Sequence, residues 1–447
     1  MALSAAIVWE VRTDGSDNSG GGFKAGASGT DRSQQAAAHA TLTTLSVVHT
    51  TTTQIAVSLT DYTVTSADIG NVFQITGGTA TAGFYEITAV DTGLNLWTVD
   101  RSAGTAGQTT VGAMGGALAT PGKAGGAHVA SNTIWIKAGT YTLSSTTSNA
   151  SGGPLSSTLT GAVVEGYNST RGDLGTAPLI QVPGSGVTTI TIVTVTGAQG
   201  LARNISVDGA SKTSIRGFLL SNSGPSVGAY LFASGCTNSG IDGGQLFRCH
   251  ATGTTGGSGF NSVASAIGCV SSGGTVNGFT LSSPATVVFC ISDSNTGGAN
   301  GFRLASGAAL CLNCVAYGNG AAGFRMDSNG AFVVNCIAEG NGGHGYSSSA
   351  SRANARAYTS AGYNNTSGNV DTATLPGVSV TALTGSPFTN AAGDDFSLNN
   401  TAGAGASCRA AGFPGTYTSG STTGYLDIGA AQHQDAGGST VIVVEDD

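Results

Sequence analysis

The sequence predicts an all-β protein whose larger part is a parallel β-helix with rungs of about 22 residues. Three observations carry that expectation. Cys249, Cys269, Cys290, Cys314 and Cys336 stand 20, 21, 24 and 22 residues apart. A glycine–aromatic pair keeps the same beat at Phe260, Phe279, Phe302, Phe324 and Tyr346, with spacings of 19, 23, 22 and 22. Each period is built from short alternating runs broken by Gly, Asn and Ser, which are strand and turn signals. Leucine-rich repeats, the other solenoid of this period, need several leucines and a helical segment per repeat, and these repeats have neither.

Side chains alternate across a strand, so parity assigns faces. The cysteines, the residues two before them (Phe247, Ile267, Val288, Leu312, Val334) and two after (Ala251, Ser271, Ser292, Ala316, Ala338) share one parity and are expected inward. In the second strand the aromatic ring points inward, with Asn261, Thr280, Arg303, Arg325 and Ser347 outward. Asn319-Gly320 and Asn341-Gly342 sit where a turn with φ > 0 would recruit Asn or Gly. Three strands and three turns then make one rung, stacked about 4.8 Å from the next.

The runs "NCVAYGNGAAGFRM" and "NCIAEGNGGHGYSS", with the later "SPFTNAAGDDFSLNN" and "YLDIGA", resemble the right-handed parallel β-helices of the pectate-lyase-like superfamily, including those of phage spikes and bacterial surface proteins. The resemblance covers roughly residues 119–434. It implies the fold strongly and the function weakly, because lyases, hydrolases, adhesins and virion spikes share it.

Composition fits this class. Of 447 residues 72 are Gly and only 9 are Pro, without a triplet period, which excludes collagen. Sixteen basic against 24 acidic residues argue against a nucleic-acid footprint, and no run approaches the length of a membrane span. The start, Met1 to Arg12, lacks a basic region and a long apolar run, so it reads as a strand rather than a secretory signal. Folding in a cytoplasm with free thiols is the matching expectation. Cys311 and Cys314 form a lone CxxC without a second pair, the six histidines show no ligand spacing, and neither metal nor cofactor is expected. Gly116 to Ala124 imitates a phosphate loop but has the wrong spacing.

Along the chain, residues 1–115 are expected to hold a first strand at Ile7–Arg12, a polar loop and a small antiparallel β domain, with runs at 54–59, 72–76, 84–90 and 96–99. That domain reads as a cap on the open first rung or a docking module. The β-helix is expected over 116–434, opening with the strands of 132–145 and nearly ideal from 247 to 349. Later strands are expected at 355–358, 378–383 and 396–398, with a last rung at 425–430. Residues 435–447 form a tail with a short apolar strand, Val441–Val444, and an acidic end.

Two outward columns and one stripe are candidates for function. Three after the cysteines stand Asp293, Tyr317 and Glu339 on successive rungs, which sets the two acids ~9.6 Å apart between backbones. Inverting glycosidases use roughly 6.5–9.5 Å between carboxylates, so Asp293 and Glu339 are the candidate acid and base. Arg303 and Arg325 stack on neighbouring rungs with Asp327 close by, and with Tyr317 they are the glycan-binding candidates. One after the cysteines, Val270, Ile291, Val315 and Ile337 form an apolar stripe of ~15 Å. Such a stripe reads as an oligomer interface, with a trimer expected around a three-fold axis, or as a surface covered by the C-terminal segment.

The leading expectation is a structural or receptor-engaging virion protein of a tailed phage, a spike, fibre or decoration protein. It would assemble in the host cytoplasm with other virion proteins and bind host-surface polysaccharide. The alternatives are a polysaccharide hydrolase or lyase and an extracellular bacterial adhesin.

Overall fold

The computed structural model describes residues 3–47, 51–183, 186–221, 226–282, 284–350, 354–375, 378–409, 411–413 and 426–432. They fall into two compact units, residues 1–208 and 209–447. The fold class is the one expected: a right-handed parallel β-helix with a small antiparallel β-barrel domain.

In the first unit the coil begins earlier than the sequence suggests. Ile7–Val11 pairs in parallel with Thr133–Lys137, placing Trp9 beside Ile134. Thr133–Lys137 then pairs with Val163–Tyr167, and that strand with Leu201–Asp208. The strand expected to stand with the N-terminal domain is therefore the first rung. Its alternation explains the placement: Ile7, Trp9 and Val11 are fully buried, and Trp9 Nε1 donates to Asn132 Oδ1 at 3.0 Å.

The small domain is an insertion after that rung. Six antiparallel strands, Ala40–Val47, Gln54–Val57, Val72–Gly78, Gly83–Asp91, Leu96–Val99 and Thr109–Met114, close into a barrel. Leu42, Ile55, Phe73, Ile87, Trp97 and Met114 fill it. Buried Asp68 ties it together by accepting from Tyr62 Oη at 2.7 Å and Trp97 Nε1 at 3.0 Å. A shallow depression of the same unit, lined by Thr13, Thr120, Pro121, Tyr141 and Leu143, is about 140 Å³, smaller than small-molecule sites of roughly 300–1,000 Å³.

The second unit holds three parallel ladders. The cysteine strands run in register, Val270 beside Ile291, Val315 and Ile337 in turn. The aromatic strands do the same, Phe260 to Phe279, Phe302, Phe324 and Tyr346. Their rings form one stack with centroids 4.5, 4.7, 4.9 and 5.3 Å apart, all within 10° of parallel. The five column cysteines are fully buried and unbridged. Backbone N–H groups of Cys249, Cys269 and Cys314 point at the next rung's Sγ at 3.3–3.4 Å. Burial pushes the Cys249, Cys269 and Cys290 thiols well above the usual range, so they serve as inert fillers.

Two local expectations are corrected. The residue before each cysteine adopts φ > 0: Arg248 48°, Gly268 62°, Phe289 53°, Asn313 50° and Asn335 55°. A left-handed residue interrupts the alternation, so the side chains before it change face. Leu246, Ala266, Val287, Cys311 and Val333 go inward, while Phe247, Ile267, Val288, Leu312 and Val334 lie outside, Ile267 with 42% of its surface exposed. At the next corner the positive φ belongs to Gly318 and Gly340, not to the Asn-Gly pairs. Asn319 and Asn341 are buried and join a ladder, Asn295 Nδ2 to Asn319 Oδ1, Asn319 to Asn341 and Asn341 to Asn365, at 2.8–3.0 Å. Each amide meets its neighbour's carbonyl, which satisfies groups that burial would otherwise penalise.

Past Ala382 the chain leaves the coil. Phe388–Asn390 and Asp395–Leu398 pair antiparallel with each other, so Phe396–Leu398 is not a further rung. Phe388, Phe396, Leu398, Cys408 and Ile428 pack as one cluster on Val315 and Ile337. The stretch expected as a last rung is thus part of a cover, its first residue, Tyr425, lying outside the described residues with the tail of 435–447.

Candidate functional site: an occluded acidic column and an exposed arginine pair

The register brings the acidic candidates into one column, as their spacing required. Asp293 lies beside Tyr317, Tyr317 beside Glu339 and Glu339 beside Tyr363. Its two acids are buried, Asp293 and Glu339 retaining 7% and 6% of their exposure, while Tyr317 and Tyr363 are half-buried. Tyr317 meets Phe396 edge to face, ring centroids 5.7 Å apart, and Phe396 meets Phe388 at 5.3 Å. Ser386, from the same covering segment, donates its hydroxyl to Glu339 Oε2 at 3.1 Å.

Burial disfavours the charged form of a carboxyl, and both acids respond. Asp293 is pushed up to about 6, chiefly by desolvation, with the Asp394 carboxyl adding to the effect and the Ser294 hydroxyl opposing it. That hydroxyl donates to Asp293 Oδ1 at 2.6 Å. Glu339 is raised by the same burial, against the hydrogen bond from Ser386. Asp394 reaches this place from a left-handed backbone, φ 62°, just after the turn Ala391–Gly393. An acid with a raised pKa opposite a second carboxylate is what glycoside hydrolysis requires. Here, however, Tyr317 stands between them in register and its ring meets Phe396.

The covering segment is clamped by residues that the sequence reading did not single out. Asn313 Nδ2 donates to the carbonyls of Asp427 and Gly429 at 2.6 and 3.2 Å. Asn335 Nδ2 donates to the Phe413 carbonyl at 3.1 Å, and its Oδ1 accepts from Phe413 N–H at 2.6 Å. Both Asn occupy the positive-φ corner, where Asn is tolerated and its amide points outward. The available signal was the Asn-Cys dipeptide repeated in the last two regular rungs.

The same cover settles where the apolar stripe stands. Val315 and Ile337 are fully buried beneath it, and Ile291 is packed against its edge. Val270, one rung further, is half-buried. An interface between copies through Val315 and Ile337 is corrected accordingly: both are already occupied by their own chain.

The arginine pair is accessible. Arg303 and Arg325 are register partners on the aromatic ladder's outer face. Both guanidinium Nε atoms donate to one carboxylate, Arg303 to Asp327 Oδ2 at 3.1 Å and Arg325 to Asp327 Oδ1 at 3.0 Å. Their side chains keep 42% and 36% of their exposure against 8% for Asp327. The two guanidinium groups and the Ser349 N–H hold the Asp327 carboxyl below its usual value, against its own burial. Two cations on one carboxylate leave a net positive charge facing solvent. Tyr317 lies on the other ladder and under the cover, so it does not join this group.

In the first unit Arg171 anchors a second ionic cluster. It donates to Glu10 Oε2 at 2.8 Å, Asp31 Oδ2 at 3.1 Å and Ser33 Oγ at 3.0 Å, and the Tyr167 hydroxyl also meets Glu10. Glu10 is raised by burial despite Arg171. Every member is engaged within the cluster, so it ties the strand of Glu10 in place. Among the described residues no group of three or more His, Cys, Asp and Glu is placed to hold a metal ion.

No family model matches the sequence, and no curated protein does. Among solved structures the chain is similar to pectate lyase Pel9A, with 18% identity over 71% of this chain and 92% of that one, at a TM-score of 0.52. What the two share is the fold, a right-handed parallel β-helix. Weaker likenesses of this β-helix are to the A-module of mannuronan C-5 epimerase AlgE4 of Azotobacter vinelandii and to ORF18 of Geobacillus virus E2. The first has 16% identity over 56% of this chain and 72% of that one, TM-score 0.36. The second has 8% identity over 56% and 53%, TM-score 0.35. At these identities the likeness concerns the course of the backbone and not the chemistry carried on it.

Proposed function

We propose that this protein is a non-enzymatic, receptor-engaging β-helix, a spike, fibre or decoration protein of a tailed-phage virion, which binds surface glycans through the face of Arg303 and Arg325. The occlusion of Asp293 and Glu339 carries the reading. Catalysis needs a substrate atom within hydrogen-bond reach of the acid and the base, and both carboxyls are buried, with Glu339 already accepting from Ser386 and Asp293 from Ser294. Eight buried, unbridged cysteines support assembly in a reducing compartment.

The arginine face suits an anionic sugar. Arg303 and Arg325 bond Asp327 through Nε and keep 42% and 36% of their side-chain exposure, and a guanidinium fork matches a carboxylate bidentately. Rungs about 4.8 Å apart allow one acidic residue of a glycan to meet both. Binding of the purified protein to immobilised acidic and neutral polysaccharides tests this. Retention of acidic glycans that falls at least tenfold in Arg303→Ala/Arg325→Ala, about 1.4 kcal/mol or more, is expected. Equal retention by the wild type and the double variant would overturn the assignment of this face.

A further inference from the structure

Residues 384–403 form a lobe that is tied to itself. Its ends meet where Thr384 N–H donates to the Gly403 carbonyl at 2.8 Å and the Thr384 hydroxyl donates to the same oxygen at 3.3 Å. Gly403 has φ 77°, and a Cβ there would run into the Thr384 hydroxyl, so this close base requires Gly. Within the lobe Phe388–Asn390 and Asp395–Leu398 make a two-stranded sheet of their own. Asn399 Nδ2 braces it by donating to the carbonyls of Ser386 and Phe388 at 2.7 and 3.0 Å. Compact loops with close ends, packed by their own side chains, are bodies in their own right.

The lobe is seated on the coil by side chains. Phe388, Phe396 and Leu398 pack in the cluster of Val315 and Ile337, the Phe396 ring meets Tyr317, and Ser386 donates to Glu339. Among the described strands its sheet pairs with none of the ladders. Lifting the lobe therefore breaks no ladder hydrogen bond, which places it at the low end of local stability.

Two buried acids meet this seat with nothing cationic beside them. Asp293 is flanked in register by Ser272 and Tyr317, accepts from the Ser294 hydroxyl and faces the Asp394 carboxyl of the lobe. Glu339 is flanked by Tyr317 and Tyr363 and accepts from Ser386. Among the described residues no Lys, Arg or His pairs with either acid. The cover's other charged groups are engaged elsewhere: Asp395 accepts from Ser397 N–H, Arg409 donates to the Leu398 carbonyl, and Asp427 acts on the Cys408 thiol. A carboxylate shut in with a second carboxylate and no counter-ion is disfavoured both by lost hydration and by like charge. Raising the lobe returns water to it.

We infer that residues 384–403 are a pH-dependent flap, seated over Asp293, Tyr317 and Glu339 when the two acids are protonated and lifted from the coil as they ionise. Asp293, pushed up to about 6 from 3.8, sets the range. Seating is fully favoured below the ordinary value, and the advantage is lost as pH rises through about 6. The lifted form holds both acids ionised, so it lacks the protonated partner that glycoside hydrolysis requires. What it uncovers is apolar surface at Val315 and Ile337.

Backbone hydrogen exchange of the full-length protein, read by mass spectrometry between pH 5 and 7.5 and corrected for the intrinsic pH dependence of exchange, tests this. Protection of peptides within 384–403 is expected to fall about tenfold over that range, while ladder peptides within 309–338 keep theirs. In Asp293→Asn the fall is expected to shrink to less than about threefold. Asp293→Ser, which repeats the Ser272 of the preceding rung, is the second variant and should behave alike if Asp293→Asn does not fold. Lobe protection that is constant with pH, a fall shared equally by the ladders, or a fall undiminished in the folded variant would each overturn the inference.

Discussion

Asp293 carries the clearest residue-level consequence. Its folded-state pKa near 6 lies above the ordinary value of 3.8, so the folded state favours the protonated acid. That contribution is complete below the ordinary value and is lost as pH rises through about 6, on the order of 2–3 kcal/mol in all. Glu339, raised by the same kind of burial, adds a slope of the same sign. Thermal unfolding of wild type and Asp293→Asn between pH 4 and 7 isolates the Asp293 share. The variant should be the more stable protein at pH 7 and show the shallower decline; equal slopes would contradict the burial of this acid.

The inner aromatics make a second prediction at this scale. Phe302 is fully buried between Phe279 and Phe324. Phe302→Ala removes two stacked contacts and leaves a cavity, a loss of about 3–5 kcal/mol. Urea unfolding would measure it, and a loss below about 1 kcal/mol would mean the stack is not a tight core. These inward residues were legible in the sequence because a cysteine and a ring recur each period at strand parity. The face of Ile267 or Leu312 was not, because strand parity assumes unbroken alternation. Arg248, Phe289, Asn313 and Asn335 break it by taking a conformation that their residue types only uncommonly adopt.

At the scale of elements, the ladders follow directly from repetition, whereas the C-terminal cover does not repeat and left no periodic trace. Phe388–Asn390 and Asp395–Leu398 read as strands, but nothing local tells a strand that joins a coil from one that lies across it. The Asn313 and Asn335 side chains decide the matter by binding the cover's backbone. Asn335→Gly keeps the left-handed corner accessible and removes the clamp, so limited proteolysis should cut near Phe413 several-fold faster while the coil stays intact. Asn335→Ala should in addition lose about 1–2 kcal/mol, because Ala is strained at φ 55°. Cutting at the wild-type rate in both variants would show that the cover is held by its apolar cluster alone.

For the whole molecule, the coil explains why one spacing fixes an alignment without deciding the chemistry carried on it. Register places Asp293 and Glu339 in one column whatever their role, since a β-helix aligns any two residues that share a position in the repeat. Whether such a pair acts depends on what lies over it, and Phe396 and Ser386 come from about fifty residues or more further along the chain. The arginine pair arises from the same register and remains open. Two faces of one unit thus differ: the acids Asp293 and Glu339 are buried, and the cationic pair is exposed to solvent.

The most direct test is to incubate the purified protein with acidic capsular and pectic polysaccharides and to follow polymer length and new reducing ends or unsaturated products together with binding. Retention without any shortening of the polymer is the predicted result. Cleavage that disappears in Glu339→Gln would contradict the account, because it would require the column under Phe396 to open and work as an active site.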